Sequence, residues 1–357
     1  MRVLHVDTAS TWRGGQNQVL LTARGMAARG HQIAVACRSG GVLEGRLREA
    51  GIEAHAMAFR GDLSPLAALS LARVMRSFRP EVAHLHDPHA ISAALMGARL
   101  QGGARLVASR RVDFPLRSAL SRRKYRNCDR VIAASRAIVA VLERDGVPAE
   151  RLRLVYEGVP TRPPQPGGRE ALEALGVPPG VPVVGNVAAL TDHKDHATLL
   201  EAAPRVLARI PDARFVVVGE GELRPALEAR AAALGLGDRF ILAGHRDDVD
   251  ALLPAFTVFC LSSHSEGLGT SLLDAMNFGR PIVATAAGGI PEAVEDGVTG
   301  RVVPVRDPQA LADVLVEVLM DGAGREAMGR AGRRRFEERF TADRMVEETI
   351  RVYGERS

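Results

Sequence analysis

The sequence is poor in cysteine, in lysine and in long hydrophobic runs, and each shortage narrows the kind of protein it encodes. Its 357 residues include three cysteines, Cys37, Cys128 and Cys260. Because they are scattered and odd in number, we expect reduced side chains that behave as small hydrophobic residues. No two of them have the spacing of zinc ligands, which argues against a zinc site. No apolar run approaches the thickness of a bilayer, so no transmembrane helix is expected.

The N-terminal residues indicate where in the cell the protein is located, and its net charge indicates which partners it could bind. The first residues, RVLHVDTAS, predict a short strand that enters a loop, without the long apolar core of a signal peptide. The sequence therefore predicts a cytoplasmic protein, with the inner face of the membrane as the alternative location. Its formal net charge of +5 is compatible with nucleic acid, a membrane surface or an anionic substrate as partner. All but two of the 47 basic residues are arginine, which directs attention to Lys124 and Lys194.

Strands alternate with helices from the N-terminus onwards. The strand Val3–Val6 is followed by Gly14-Gly15, by a helix with one apolar side, and by a second strand at Gln32–Cys37. This order predicts a parallel βαβ unit. Further strands are expected at 52–58, 82–85, 106–108 and 131–133, with helices between them.

A segment rich in proline and glycine, VPTRPPQPGG at Val159–Gly168, interrupts this alternation and is typical of an interdomain linker. The alternation then resumes with strands at 181–187, 214–219, 240–243 and 258–261. The sequence predicts an α/β fold with two Rossmann-like, doubly wound parallel-sheet domains facing a cleft, in which ligands bind beyond the carboxyl ends of the strands. We place the domains at 1–162 and 173–338, joined by a linker at 163–172.

The most informative segment runs from Val258 to Glu292, VFCLSSHSEGLGTSLLDAMNFGRPIVATAAGGIPE. It predicts a buried strand, a loop whose glycines let a ligand approach the backbone, and a helix opened by Thr270 and Ser271. Gly279 ends that helix. The exposed N–H groups of the first helical turn, together with the helix dipole, suit a phosphate group.

Two carboxylates accompany this expected phosphate site. Glu266 lies in the loop, and Asp274 lies three residues after Ser271, on the same helix face. An acid beside a phosphate pocket is electrostatically unfavourable unless it binds a neutral, hydroxylated group. Because carboxylates accept hydrogen bonds well from the hydroxyls of sugars and riboses, the spacing suggests a nucleotide-sugar as ligand.

The whole segment resembles the donor-binding motif of retaining glycosyltransferases of family 4, which have the GT-B fold. That motif has an acidic residue, a second one after seven intervening residues, a Gly-Arg-Pro strand entry and a Gly-Gly-x-Pro-Glu turn. Glu266 matches the first acid, and Asp274 stands where a second glutamate is usual. Gly279–Pro281 and Gly288–Glu292 follow in register.

The resemblance covers nearly the whole chain, from Gly14-Gly15-Gln16 to RRRFEERFT near the C-terminus. It implies transfer of a sugar from a nucleotide-sugar to an acceptor hydroxyl with retention of configuration. The acceptor would be a glycan or a lipid-linked glycan, as in the synthesis of cell-envelope polysaccharide or lipopolysaccharide. The N-terminal domain would lie on the acceptor side and the C-terminal domain on the donor side. A final helix at 339–357 would pack back on the N-terminal domain.

The resemblance also implies roles for single residues. Glu266 would orient the hydroxyls of the donor sugar, and Asp274 would hold the ribose. Lys194 matches the lysine of the family's cationic clamp on the donor diphosphate, whereas Ala189 stands in place of the clamp arginine. No metal or other cofactor is implied. We assign catalysis to Glu266 and Lys194, and donor binding to Gly15, Gly267, Leu268, Gly269, Thr270, Ser271 and Asp274.

In the N-terminal half, the residues expected to contact the acceptor or the donor sugar are Gly14, Gln16, His86 and Arg111. Arg111 falls near a position where many relatives carry a histidine. An arginine there would suit a sugar carboxylate or an acceptor phosphate, and an ordinary loop residue is the alternative. His84, His86 and His89, in HLHDPHA, would suit a metal site if they converged. Because the resembled enzymes need no metal, we interpret them as strand-end residues of the core and the cleft.

Six basic side chains are concentrated in the segment Leu116–Arg130, LRSALSRRKYRNCDR. Few aromatic residues lie between them, which argues against single-stranded nucleic acid as a partner. The segment is compatible with an anionic lipid surface, with a phosphorylated glycan, or with a solvated helix face.

Three other functions compete with glycosyl transfer. A nucleotide-sugar 2-epimerase also has two Rossmann-like halves, but its usual motifs differ from the segment around Glu266. A nicotinamide dehydrogenase would have G-x-G-x-x-G directly after the first strand, and Trp12–Gly15 does not supply it. A non-catalytic relative that binds a nucleotide-sugar within a glycan assembly remains open, because of Ala189 and Asp274.

Overall fold

Short apolar runs form parallel strands in both halves of the chain. The computed structural model describes residues 1–58, 65–101 and 103–355. The chain divides into two units: unit 1 comprises Met1–Gly158 and Thr341–Ser357, and unit 2 comprises Val159–Phe340. Each unit has its own parallel sheet with helices packed on it.

The described residues of unit 1 contain a seven-stranded sheet in the order β3-β2-β1-β4-β5-β6-β7. Its strands are β1 (Arg2–Asp7), β2 (Gln32–Arg38), β3 (Glu53–Met57), β4 (Val82–Leu85), β5 (Arg105–Arg110), β6 (Arg130–Ala133) and β7 (Leu152–Leu154). The helices of its longer segment are α1 (Gly14–Ala27), α2 (Val42–Glu49), α3 (Pro65–Phe78), α4 (Pro88–Gln101), α5 (Ala119–Arg126) and α6 (Arg136–Arg144). The order of strands reverses direction at β1 and β4, which is where Rossmann-like sheets bind ligands.

Unit 2 contains, among its described residues, a six-stranded parallel sheet in the order β10-β9-β8-β11-β12-β13. Its strands are β8 (Val183–Val187), β9 (Arg214–Val218), β10 (Phe240–Gly244), β11 (Val258–Leu261), β12 (Ile282–Thr285) and β13 (Gly300–Val303). Its helices are α7 (Gly168–Ala174), α8 (His196–Arg209), α9 (Arg224–Ala233), α10 (Val249–Ala255), α11 (Thr270–Asn277), α12 (Ile290–Ala293), α13 (Pro308–Met320) and α14 (Gly322–Arg339). The predicted α/β class with two Rossmann-like parallel sheets is confirmed.

Both sheets are covered by helices on their two faces, and their central strands are therefore largely buried. In β11, for example, all four residues are completely buried. The three cysteines are buried and unpaired, as predicted. Burial raises the pKa of the Cys37 thiol to about 11 and those of the Cys128 and Cys260 thiols to about 12. They therefore remain neutral thiols at physiological pH.

The chain passes from one unit to the other at Gly158–Val159 and at Phe340–Thr341. The segment 163–172, predicted as a linker, belongs to unit 2, and α7 begins within it at Gly168. Leu172 of α7 is buried. The proline-rich segment leads into α7, and α7 lies within unit 2.

The last helix, α15 (Ala342–Gly354), packs against α1 in unit 1. Its apolar residues Met345, Val346 and Val352 are buried. The hydroxyl of Tyr353 lies 2.5 Å from Nδ1 of His84 in β4, and Arg105 of β5 donates to the Tyr353 carbonyl oxygen at 2.5 Å. These contacts join α15 to the centre of the unit 1 sheet. Within the described residues, no helix has the length and hydropathy needed to cross a membrane.

Candidate functional site

Lys194 and Glu266, the two residues assigned to catalysis, meet at the carboxyl edge of the unit 2 sheet. Lys194 ends a short 3₁₀ turn (Asp192–Lys194) that follows β8, and Glu266 lies in the loop after β11. The Lys194 ammonium and Oε1 of Glu266 form an ion pair, although the residues are 72 positions apart. Ser263 also donates to Oε1 of Glu266, at 2.9 Å. With 18% of the Lys194 side chain and 8% of the Glu266 side chain exposed, both charges are largely withdrawn from water.

Hydrogen bonds between loops fix this pair in place. The Ser262 hydroxyl donates to the carbonyl oxygens of Lys194, at 3.2 Å, and of Asp195, at 2.9 Å. The amide of Gly289, in the predicted Gly-Gly turn, donates to the Glu266 carbonyl oxygen at 3.2 Å. The loops after β8, β11 and β12 are thus tied together around one carboxylate and one ammonium group, which gives a preorganised polar site.

Helix α11 begins next to this pair, at Thr270 as predicted. Gly269 precedes it in the left-handed region, with φ of 85°, where a residue with a Cβ atom is strained. In this part of the described chain no side chain caps the helix. The first N–H groups of α11 and the positive end of its dipole are therefore suited to an anion.

The second acid of the motif has a cationic partner of its own. A carboxylate oxygen of Asp274 forms an ion pair with Nη2 of Arg162, whose Nη1 lies 3.2 Å from Oδ1 of Asp250. Withdrawal of the Asp274 carboxyl group from solvent raises its pKa from 3.8 to about 7. The Arg162 charge opposes this increase in the pKa, and the negative charge of Asp250 adds to it. The pKa of Asp274 therefore lies close to neutral pH, where a change in pH alters its protonation.

In unit 1, three histidines gather at the centre of the sheet. His5 of β1 is level with His84 of β4, and the ring centres of His84 and His86 are 4.1 Å apart. Nδ1 of His5 lies 2.9 Å from Nε2 of His86, and Nε2 of His84 lies 2.7 Å from the Ser109 hydroxyl. His89, which was considered with His84 and His86, is not a member of this cluster. His5 takes its place.

Arg111 fixes which ring nitrogen of His86 carries the proton. Its Nη2 donates to Nδ1 of His86 at 3.1 Å, and its Nε lies 3.2 Å from Oε1 of Glu157. Because a guanidinium group can only donate, Nδ1 of His86 must accept, and Nε2 of His86 then donates to Nδ1 of His5. Burial lowers the pKa of His5 to about 3 and holds the pKa values of His84 and His86 well below 6.5. All three rings are neutral at physiological pH.

The same three rings have the spacing of a possible metal site, since one nitrogen of each lies within 4.8 Å of the others. Both nitrogens of His84 and both of His86 already have hydrogen-bond partners. One of those partners is the positively charged guanidinium of Arg111. This donor set fits a hydrogen-bonded network better than a bound cation.

The glycine pair near the N-terminus opens helix α1 at Gly14. A Cβ atom at Gly15 would meet no atom within 4 Å, so the backbone is open on that side. The Gln16 amide nitrogen lies 3.1 Å from Oδ2 of Asp7, and Oε1 of Gln16 accepts from the amide of Arg13 at 3.2 Å. The structure thus leaves Gly15 accessible and holds Gln16 against the end of β1.

Family comparisons agree with this arrangement in both units. The family described as Glycosyltransferase Family 4 matches residues 12–162, and the family described as Glycosyl transferases group 1 matches residues 169–335. The chain belongs to these glycosyltransferases. The family resemblance predicted from the motifs in both halves is confirmed.

Two curated relatives show how far the similarity to named proteins of this glycosyltransferase family extends. D-inositol 3-phosphate glycosyltransferase of Corynebacterium urealyticum is 32% identical over 68% of this chain, but the alignment spans 59% of that relative's length. 2-Deoxystreptamine N-acetyl-D-glucosaminyltransferase of Streptomyces fradiae is 29% identical over 90% of this chain and 89% of its own. The crystal structure of Anabaena HepE in complex with UDP and glucose matches 98% of both chains with a TM-score of 0.86 and 21% identity. The fold is therefore GT-B.

Two contacts, one in each unit, were not predicted from the motifs. Arg162 lies in the proline-rich segment and was interpreted there as part of a domain boundary, although it pairs with Asp274. His5 was overlooked because it is a lone histidine in an apolar strand. The signal for His5 was present, since β1 and β4 each carry a histidine at matching positions.

Proposed function

We propose that this chain is a retaining glycosyltransferase that moves a sugar from a nucleotide-sugar to an acceptor hydroxyl. The observation that carries the proposal is the buried Lys194–Glu266 ion pair beside the uncapped start of α11. Together they offer cationic and N–H groups for a diphosphate and a carboxylate for sugar hydroxyls. This is the combination that a nucleotide-sugar requires.

The proposed chemistry depends on positioning and on charge stabilisation. The bond between the anomeric carbon and the diphosphate oxygen breaks, and the acceptor oxygen bonds to that carbon on the same face. The departing phosphate oxygen accepts the acceptor proton. Lys194 and the amides near Gly269, Thr270 and Ser271 stabilise the negative charge of the leaving group. No metal or other cofactor is part of this proposal.

The ion pair gives Glu266 and Lys194 complementary roles in the proposed reaction. When a diphosphate binds, Lys194 gains an anionic partner that carries more charge than Glu266. Glu266, still held by Ser263 at 2.9 Å, then accepts hydrogen bonds from the donor sugar. We assign the ribose to Asp274, which at neutral pH is shared between its ionised and protonated forms, and donor contacts to Gly267 and Leu268.

In unit 1 we propose that Gly14, Gly15, Gln16, His86 and Arg111 provide contacts for the acceptor or the donor sugar. The open backbone at Gly15 and the neutral His86 ring held by Arg111 support this assignment. The crystallised relative binds UDP and glucose, which makes a UDP-sugar the first donor to test. As acceptor we propose a glycan or a lipid-linked glycan of the cell envelope.

Nucleotide-dependent stabilisation tests the donor site directly. We expect one of UDP, GDP or ADP to raise the melting temperature of the purified protein, because a ligand that binds the native state stabilises it. Lys194→Ala should abolish the increase, whereas Glu266→Ala should weaken the response to the sugar conjugate alone. Arg209→Ala, which removes an exposed arginine of α8, is the matched control and should respond like the wild type. Absence of stabilisation by all three nucleotides would contradict the proposal.

A non-catalytic nucleotide-sugar-binding protein is the second candidate. It is favoured by Ala189, which stands where the resembled enzymes carry the clamp arginine. Slow hydrolysis of a bound nucleotide-sugar in the absence of acceptor separates the two functions. An enzyme releases free sugar, and Lys194→Ala should abolish that release. A protein that binds the nucleotide-sugar but releases no sugar, with or without acceptors, would support the second candidate.

A further inference from the structure

Arg162, in the proline-rich segment, is bound to α11 through both its main chain and its side chain. Its amide donates to Oδ1 of Asn277, the last residue of α11, at 3.2 Å, and its carbonyl oxygen accepts from Nδ2 of Asn277 at 3.0 Å. Its guanidinium pairs with Asp274, which lies three positions before Asn277. Because residues three apart share a helix face, Arg162 contacts one face of α11 at two successive positions.

Neighbouring helices hold these main-chain contacts in place. Nη1 of Arg333, in α14, donates to Oδ1 of Asn277 at 2.8 Å, which fixes the orientation of that side-chain amide. The amide of Gln165 donates to the carbonyl oxygen of Asp250, in α10, at 3.3 Å. The segment that carries Arg162 is thus anchored to α10 and α11, and the Arg162 side chain extends from a fixed backbone.

The guanidinium of Arg162 bridges two carboxylates. Nη2 donates to Oδ1 of Asp274, and Nη1 lies 3.2 Å from Oδ1 of Asp250. A guanidinium is planar and can direct N–H groups at two oxygens in a fixed geometry, which an ammonium group cannot. One oxygen of each carboxylate is therefore directed at Arg162.

The second oxygen of Asp274 is left for another partner. Oδ2 accepts no hydrogen bond from any residue that the structure describes, and 25% of the Asp274 side chain is exposed. Asp274 lies four positions after Thr270, so it shares a helix face with the first turn of α11, where we propose that the diphosphate binds. Oδ2 is therefore an accessible acceptor about one helical turn from that site.

Few ionisable groups lie on the elements that pack against α11, which are α10, α14, β11 and β12. The two strands carry no charged side chain, and the Cys260 thiol of β11 is neutral because burial raises its pKa to about 12. From α14, the charged group bonded to α11 is Arg333, and its Nε lies 2.6 Å from Glu337. From α10, the charged group is Asp250.

These surroundings make Arg162 the cation that controls Asp274. Burial raises the pKa of Asp274 to about 7, the Arg162 charge opposes this increase, and the Asp250 charge adds to it. When Asp274 takes up a proton, the proton goes to Oδ2, because Oδ1 accepts from a guanidinium that can only donate. Protonation therefore converts the accessible acceptor into a hydroxyl group.

We propose that Arg162 is a positioning residue of the nucleotide site, which directs Oδ2 of Asp274 towards a hydroxyl group of the donor ribose. The proposal rests on the proposed glycosyltransferase function and adds a residue that lies outside the motif. Arg162 engages Oδ1, Asp250 holds the other arm of the guanidinium, and Oδ2 accepts from the ribose. Aspartate is one methylene shorter than the glutamate usual at this position, so its carboxylate depends more on such a fixed orientation.

Discrimination between ribose and deoxyribose measures this contact. Calorimetric titration with UDP, GDP and ADP identifies a nucleotide that binds, and the 2′-deoxy and 3′-deoxy forms of that nucleotide are then compared with it. At about pH 8, where Asp274 is mostly ionised, the wild type should prefer the ribose form to at least one deoxy form by about tenfold, as a charge-assisted hydrogen bond provides. Asp274→Asn should lose this preference.

Substitution of Arg162 separates positioning from support of the fold. Arg162→Gln should reduce the preference to about twofold and change the affinity for the deoxy form by less than about threefold. Arg162→Lys keeps the positive charge and should retain more of the preference than Arg162→Gln. Arg169→Gln is the matched control, because Arg169 in α7 is exposed and forms no ion pair in the described part of the chain. It should keep the wild-type preference.

The pH dependence of the preference is a readout that a purely structural role would leave unchanged. In the wild type the preference should fall as the pH drops through about 7, because Oδ2 then carries a proton. In Arg162→Gln the fall should occur at higher pH, because the charge that lowers the pKa of Asp274 is gone. The wild-type measurement requires no variant, and native circular dichroism confirms that each variant is folded.

The outcomes distinguish this proposal from the proposed function on which it rests. Absence of binding by UDP, GDP and ADP would overturn the donor site and this proposal together. Binding of a nucleotide and both of its deoxy forms with equal affinity, or a preference that persists in Asp274→Asn, would overturn the ribose contact alone. A preference that persists in Arg162→Gln with the wild-type pH dependence would mean that Arg162 supports the fold of unit 2 and does not position Asp274.

Discussion

At the scale of single residues, the site of unit 2 consists of charges held out of water by their neighbours. Glu266 and Lys194 compensate each other, and Asp274 is compensated by Arg162. Removing one member of such a pair leaves the other with its full desolvation cost. The stability of unit 2 and its proposed affinity for an anion should therefore depend on the same few side chains.

The Lys194–Glu266 pair gives the first prediction. Lys194→Met should lower the free energy of unfolding by about 1–3 kcal/mol, because Glu266 is left largely buried without its cation. Adding Glu266→Gln should restore most of that loss by removing the uncompensated charge. Urea unfolding of the two single variants and the double variant measures the coupling. Additive losses in the double variant would show that the two charges do not compensate each other.

Asp274 gives a pH dependence. Its pKa is about 7 in the native state against 3.8 ordinarily, so the native state binds more protons than the unfolded state between these values. The stabilising contribution is present at low pH and is lost as the pH rises from about 4 to 7, at no more than about 1.4 kcal/mol per pH unit. Asp274→Asn should remove this component. The difference in unfolding free energy between wild type and variant, measured from about pH 5 to 8, checks the sign, and a difference independent of pH would contradict it.

Some of these residues could be identified from the sequence, and one could not. Glu266 and Asp274 could be found because their spacing belongs to a motif. Arg162 could not, because its partnership with Asp274 joins positions 112 apart through tertiary packing. The assignment of Asp274 to a ribose comes from the family resemblance, and nothing in the motif indicates that this carboxylate pairs with Arg162.

At the scale of elements, the start of α11 depends on the backbone of Gly269. Its φ of 85° is strained for a residue with a Cβ atom, and a Cβ there would lie 3.0 Å from Cδ1 of Leu272. Gly269→Ala should therefore destabilise the protein by about 1–2 kcal/mol and weaken nucleotide binding, because the first N–H groups of α11 shift. Melting curves with and without nucleotide measure both effects.

Gly297→Ala is the matched control for this substitution. Gly297 also has positive φ, 74°, but a Cβ there would meet nothing within 4 Å. Its replacement should cost a similar backbone strain and leave nucleotide binding unchanged. Equal losses of nucleotide affinity in both variants would indicate a general effect of strain and would contradict a specific role for the start of α11.

The histidine cluster of β1 and β4 gives a second pH dependence of the unfolding free energy, and its sign is opposite to that of Asp274. His5 has a native pKa of about 3 against 6.5 ordinarily, so the unfolded state binds more protons between these values. Its stabilising contribution is present above pH 6.5 and is lost as the pH falls, by about 1.4 kcal/mol per pH unit. His5→Asn should reduce the slope of unfolding free energy against pH, measured from about pH 4.5 to 7, by about one proton. An unchanged slope would contradict the prediction.

Most elements were predictable because their apolar periodicity is strong. The helix expected between the strands at 52–58 and 82–85 is α3 (Pro65–Phe78), and the strand expected at 240–243 is β10 (Phe240–Gly244). The histidine cluster was predicted in part, with His89 in place of His5. His89 was included because it is close to His84 and His86 in the sequence. The parallel register of β1 and β4 instead places His5 beside His84.

At the scale of the whole molecule, unit 1 is built from two parts of the chain that are separated by the whole of unit 2. Unit 1 is completed by Thr341–Ser357 after unit 2 has ended. The two parts of unit 1 are tightly packed where they meet, because a Cβ atom at Gly158 would lie 2.3 Å from the Thr341 carbonyl oxygen. Gln18 of α1 donates to the Gly158 carbonyl oxygen at 3.0 Å. Composition alone predicts a linker in the proline-rich segment. It does not predict that the end of the first part of unit 1, at Gly158, is fixed by contacts with Thr341 and Gln18.

The discontinuity of unit 1 leads to the last prediction. The Tyr353 hydroxyl of α15 is a buried hydrogen-bond partner of His84, whose other nitrogen is bound to Ser109. Tyr353→Phe leaves Nδ1 of His84 buried without a partner, and we expect a loss of about 1–3 kcal/mol in the stability of unit 1. Hydrogen exchange should accelerate in α1, α15 and β4, while the amides of β8, β11 and α11 keep their protection. Equal acceleration in both units would mean that they unfold as one cooperative body, and unchanged exchange in α1 and α15 would mean that this hydrogen bond does not hold the last helix in place.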